Sequence, residues 1–174
     1  MSAVASANGL ALDCNTWSDG NCGPDSVLRN LERLRPCNAA SQAVLKTLAE
    51  QGRHSAIQRI RRLAGKWMRR HSSHEILPAT SLETWVMMEN RYVDFRAYVH
   101  AMEQDTTWVE TPFFFACNAI FEMQFAMLVG RGEPHLLASP EVMCLPSSHI
   151  AAVANVNNVH YMALHPLSTE GSNR

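Results

Sequence analysis

Asp19-Gly20-Asn21-Cys22-Gly23-Pro24-Asp25-Ser26, taken with the late pair His160-Tyr161, is the stretch that decides how this chain is read. Turn-forming residues crowd the approach to Cys22, and Pro24, Asp25 and Ser26 suit the first turn of a helix. Cys22 therefore falls between a tight turn and a helix N-terminus, where unpaired backbone N–H groups favour thiolate over thiol. Gly20 lets the loop fold back so that the N–H groups of Gly20 and Asn21 converge on one spot, as an oxyanion requires. His160 lies in the apolar, strand-like run Val159 to Leu164, and imidazole is the side chain best matched to proton transfer near neutrality. A four-residue turn is ordinary by itself, and so is a lone strand histidine. Together they supply a nucleophile and a base, which points to a cysteine hydrolase.

Working outward, Val27, Leu28, Leu31 and Leu34 give the helix after Cys22 one apolar face, and Pro36 ends it. Asn38 caps a second helix through about residue 50, which Gly52 stops. Ile57, Ile60, Leu63, Ala64, Trp67 and Met68 recur at helical spacing over 54–70. Further helices are expected at 81–90, 93–102 and 111–121. The period then changes, and strands are expected at 123–129, 142–144, 150–156 and 159–164, with turns at 130–134 and 146–148. Helices early and strands late predict an α+β domain with helices flanking a small sheet. Residues 1–12 read as a loose tail or an edge segment, residues 13–167 as a single domain, and residues 168–174 as a C-terminal tail.

Composition narrows the classes. The 174 residues are 47% hydrophobic, enough for one sizeable core. A net charge of −1 offers no global electrostatic case for nucleic acid or an anionic membrane. Cysteines at 14, 22, 37, 117 and 144 form no CxxC pair, so neither a disulfide framework nor a zinc site is expected. The most hydrophobic window, 112–129, contains Asn118, Glu122 and Gln124, which argues against a membrane span. The N-terminal residues lack the pattern of a secretion signal. A cytoplasmic protein is expected; for a bacterial source, export would place it in the host cytosol. The segment 53–70 carries Arg53, Arg59, Arg61, Arg62, Lys66, Arg69 and Arg70 with no acidic residue. It is expected to be a solvated helix face.

The order of these motifs resembles the OTU (ovarian tumour) family of cysteine proteases, as a divergent member of bacterial or viral type. Asp19-Gly20-Asn21-Cys22 resembles the family's nucleophile loop. The stretch from Tyr92 to Glu110 resembles its region around a tryptophan motif, and Ile150 to Val156 followed by His160-Tyr161 resembles its final strands. The likeness spans roughly residues 13–165. It implies a papain-like OTU fold with a small, mostly antiparallel sheet, and a deubiquitinase with Cys22 as nucleophile and His160 as general base and acid. Asp19 would brace the loop and support the oxyanion site formed by Gly20 and Asn21. Trp108 would pack near the active-site helix, plain core burial being the ordinary alternative. The family's carboxylate or amide two residues after the histidine is replaced by Met162, and Val109 stands for the usual glycine after the tryptophan. Asn158 is the first candidate to orient His160, and Asp13 the second. Ubiquitin or a ubiquitin-like protein and polyubiquitin chains are the implied partners of a monomer that uses no cofactor and no metal. A catalytically silent ubiquitin-binding domain and a different Cys–His amidase are the alternatives.

Overall fold

Val27, Leu28 and Leu31, spaced to fall on one face of a helix, are completely buried, and this stripe seats the helix that begins at Cys22 against a sheet. The computed structural model describes residues 2–7, 9–13, 19–88, 91–129, 135–137, 150–156 and 160–166. Along these the elements run α1 (Ser2–Ala7), β1 (Leu10–Leu12), α2 (Cys22–Leu34), α3 (Ala39–Arg70), β2 (Glu75–Leu77), β3 (Thr80–Ser81) and α4 (Leu82–Met88). They continue with α5 (Phe95–Glu103), α6 (Thr111–Phe121), β4 (Gln124–Val129), β5 (His135–Leu137), β6 (Ile150–Val156) and β7 (His160–Pro166).

Five strands form the main sheet in the order β1-β7-β6-β4-β5, and only the β4–β6 pairing is parallel. The expected α+β architecture with a small, mostly antiparallel sheet is therefore present. Side-chain alternation divides the sheet's two faces. Phe125, Met127, Ala151, Val153 and Tyr161 join the large core under the helices, while Leu128, Ala152, Ala154 and Leu164 form a second cluster with Ala5. Of the two roles open to residues 1–12, Leu10–Leu12 takes the edge, pairing with Leu164–Pro166. Three residues are too few for a period-2 signal. The β2–β3 hairpin and β5 were not expected for the same reason. The strand expected at 142–144 lies outside the described residues. No helix among the described residues is long and apolar enough to cross a membrane.

Gly52 separates two helical segments as expected: its backbone, at φ 83 and ψ 176, interrupts the run from Ala39 to Arg70. The break brings Arg53 against α2. Its Nε donates to Asp25 at 2.6 Å and Nη1 to Glu32 at 2.9 Å. Asp25 is fully buried and also accepts from Arg29 Nε at 3.0 Å, while Arg29 Nη1 reaches Asp13 at 2.8 Å. The chain of alternating charges Asp13–Arg29–Asp25–Arg53–Glu32 thus links the end of β1, α2 from its first turn to its last, and the segment of α3 that follows Gly52. Removing the buried carboxylate leaves two guanidinium groups without their shared partner, which costs about 3 kcal/mol in such networks. Asp25→Ala is expected to lower the unfolding free energy by that order in urea denaturation, with Asp25→Asn losing less.

Candidate active site

Cys22 is the first residue of α2, and Asn21 is its N-cap. Asn21 caps with no side-chain bond because its amide is engaged elsewhere. Its Oδ1 accepts from Arg61 Nε at 3.1 Å and Nη2 at 2.9 Å, and its Nδ2 donates to Asp105 at 2.8 Å. Asp19 closes the turn before the helix: its Oδ1 accepts the Asn21 N–H at 2.9 Å and its carbonyl accepts the Cys22 N–H at 3.1 Å. The geometry is that of a braced loop. It also occupies the Asn21 amide that the sequence suggested for an oxyanion, whereas the Gly20 N–H makes no hydrogen bond among the described residues.

Gly20 is required for a different reason from the one the sequence suggested. Its φ is not positive; a Cβ at this position would overlap the Thr106 carbonyl. Thr106 itself adopts the left-handed conformation at φ 57, which presses its carbonyl against the loop. Gly23 is the companion close approach. A Cβ there would run into Val109 and touch the rings of Tyr161 and Phe114. Two glycines three residues apart therefore let the segment 106–109 lie directly on the head of α2.

The sulfur of Cys22 accepts the backbone N–H of Tyr161 at 3.4 Å. That nitrogen is bonded to the carbonyl carbon of His160, so the loop around Cys22 and the start of β7 converge although they lie at opposite ends of the chain. The ring of Tyr161 stacks at 4.8 Å, tilted, against Phe114, which fixes the strand at this point. Cys22 is 1% exposed. Burial pushes its thiol pKa up, while the amides of Tyr161 and Gly23 pull it down; Asp19 then adds a smaller upward push and Arg61 a smaller downward one.

His160 opens β7 opposite Val156 and is half-buried. Met162, on the same strand parity, packs against the second apolar cluster, so the position after Tyr161 is a packing position here. Asn158, the first candidate to orient His160, lies outside the described residues. Asp13, the second, is hydrogen-bonded through its carboxylate to Arg29 and through its N–H to the Ala163 carbonyl. Trp108 is 47% exposed, so the plain core burial that the sequence allowed does not occur. It sits between Thr107, whose carbonyl accepts from Arg61 at 2.7 Å, and the buried Val109.

Arg61 is the residue the sequence did not single out. The basic stretch of α3 was expected to be solvated, yet Arg61 is fully buried, Arg53 pairs with Asp25 and Glu32, and Arg69 pairs with Glu103. The signal was present in the spacing. Residues 57, 60, 61, 64 and 68 form one helical stripe, and its other members are the buried Ile57, Ile60, Ala64 and Met68. Among the described residues, no group of His, Cys, Asp and Glu side chains is arranged to hold a metal ion.

Cys22 at the head of a helix docked on a mixed sheet and His160 opening the adjacent strand thus lie on neighbouring elements of one α+β domain. No protein-family model and no curated protein matches the sequence. Solved structures do match, and OTU domains are among them. The OTU domain of OTUD1 is 13% identical with a TM-score of 0.58, covering 94% of this chain and 91% of that one. An OTU deubiquitinase from Wolbachia pipientis wMel is 10% identical with a TM-score of 0.55, covering 95% and 93%. An OTU deubiquitinase from Wolbachia pipientis wMel bound to ubiquitin is 11% identical with a TM-score of 0.58, covering 92% and 98%. The chain has the OTU fold over nearly its whole length.

Because the Thr106 carbonyl is backbone and cannot rotate aside, Gly20→Ala is expected to cost about 1–3 kcal/mol in chemical denaturation. The same variant is expected to weaken the Tyr161–Cys22 contact, read as a change in the Tyr161 amide shift by NMR.

Proposed function

We propose that this chain is a thiol-dependent deubiquitinase: a cysteine protease that hydrolyses the isopeptide bond between the C-terminal glycine of ubiquitin, or a ubiquitin-like modifier, and a lysine. The observation that carries the reading is the contact between the Tyr161 N–H and the sulfur of Cys22, which joins the nucleophile loop to the histidine strand. The OTU fold supports it, since solved neighbours with that fold are deubiquitinases and one is bound to ubiquitin.

Burial raises the thiol of Cys22, which favours general-base removal of its proton by His160 over a standing ion pair. The thiolate attacks the glycine carbonyl and forms a tetrahedral oxyanion. The Gly20 N–H receives that charge, joined by the Asn21 N–H once Asp19 yields it. His160 then gives the proton to the leaving lysine amine as the C–N bond breaks. A water, deprotonated by His160, opens the thioester and restores the thiol. No metal or organic cofactor takes part in these steps. A monomer acting on polyubiquitin chains in a cytosol suits a chain whose described cysteines, Cys22, Cys37 and Cys117, are free thiols.

One alternative has observations of its own. Met162 packs as an apolar residue and Cys22 is 1% exposed, which fits a domain that binds ubiquitin without cleaving it. A ubiquitin probe with a thiol-reactive C-terminus separates the readings. The proposed enzyme forms a covalent adduct that vanishes in Cys22→Ala and slows by about a hundredfold in His160→Ala. Binding without adduct points to the silent domain, and neither event points to another Cys–His amidase. With the thiol raised, less thiolate is present at neutral pH. The capture rate is therefore expected to keep climbing as pH rises beyond about 8.5, the range of an ordinary cysteine.

A further inference from the structure

Arg61 makes five hydrogen bonds, and all five go to neutral oxygens. Nη1 donates to the Met102 carbonyl at 2.6 Å, and Nη2 to the Gly20 carbonyl at 2.8 Å, the Thr107 carbonyl at 2.7 Å and Asn21 Oδ1 at 2.9 Å; Nε donates to the same Oδ1 at 3.1 Å. A buried arginine with a structural role ordinarily meets a carboxylate in a two-pronged pair. Here the nearby Asp105 is instead hydrogen-bonded to Asn21 at 2.8 Å and to Gln58 at 2.6 Å, and faces His54 at 3.7 Å. Tying two backbone segments together needs donors; it does not need a charge, and placing a charge where Arg61 is fully buried is costly.

We propose that Arg61 is a positioning residue for the reaction: fixed where the 19–22 loop crosses the 102–107 segment, its buried cation favours the thiolate of Cys22. The inference rests on Cys22 being the nucleophile. The charged groups that bear on the thiol are Asp19 in its own loop and Arg61 on α3; His54 on α3 and Asp105 on the facing segment meet each other at 3.7 Å, and His160 opens β7. Asp19 opposes the thiolate, and Asp105 is bonded to Asn21 on the loop side. Arg61 lies on the favourable side of this balance. Burial pulls the guanidinium down to about 10, so it still carries its charge at neutral pH. Asp105 and Asp19 already act on that cation, and when Cys22 loses its proton the thiolate joins them as a third anion in its field.

The test is alkylation of Cys22 by iodoacetamide as a function of pH, followed for the Cys22 peptide by mass spectrometry so that the other cysteines do not interfere. Arg61→Gln keeps donors but removes the charge. It is expected to raise the alkylation midpoint by about one pH unit, a tenfold loss of thiolate below both midpoints, and Arg61→Lys is expected to recover part of that shift. A folded Arg61→Gln with the wild-type midpoint overturns the proposal. Should Arg61→Gln fail to fold in buffer, the same titration in a stabilising osmolyte decides: a raised midpoint supports the role of charge, and the wild-type midpoint overturns it. No ubiquitin enters the experiment, so loss of probe capture with an Arg61-dependent midpoint would reject the deubiquitinase reading while leaving this one standing.

Discussion

The amide of Tyr161, aimed at the sulfur of Cys22 from 3.4 Å, is the contact on which the account of the site depends. A hydrogen bond to sulfur is weak and cannot by itself hold two ends of a chain together. What holds it is packing on either side. Gly23 has no side chain, so the head of α2 settles against Val109 and the rings of Tyr161 and Phe114. Phe114 in turn meets Phe113 and Phe125 edge-on at 5.4 and 5.5 Å. The aromatic cluster fixes β7 relative to α2, and the sulfur takes the position that remains.

The same loop is held from below by polar groups. Asp19 closes it, Asn21 spans from Arg61 to Asp105, and Thr106 presses its carbonyl where only glycine fits. The thiol thus sits between opposing effects. Burial is the largest and disfavours charge, whereas two amides and Arg61 favour it. A thiol buried in this way is held toward its protonated form, which protects it from adventitious alkylation or oxidation.

Much of this was legible in the sequence because the signals were local. The turn before Cys22, the apolar face of α2, the break at Gly52 and the apolar strands expected at 123–129, 150–156 and 159–164 follow from spacing and turn chemistry alone. Short elements were not legible: β1, the β2–β3 hairpin and β5 have two or three residues each, and pairing with distant strands makes them. Arg61 escaped because composition suggested a solvated basic helix, although its place on the stripe 57-60-61-64-68 marked it as inward. Gly20 also has a packing role that the sequence did not give, since its missing Cβ leaves room for the Thr106 carbonyl. A sequence reveals that a turn can form, but not which distant carbonyl will lie on it. Trp108 shows the reverse: a large aromatic reads as core, and here the need for Thr107 and Val109 to face inward leaves it half in solvent.

The most direct measurement of the central contact is the amide resonance of Tyr161, followed by NMR while Cys22 is titrated. As the thiol becomes thiolate the hydrogen bond strengthens, so the Tyr161 amide proton is expected to move downfield with the midpoint of Cys22, and Cys22→Ala should abolish the transition. A Tyr161 resonance that stays fixed through the titration of Cys22 would contradict the convergence of the loop with the histidine strand.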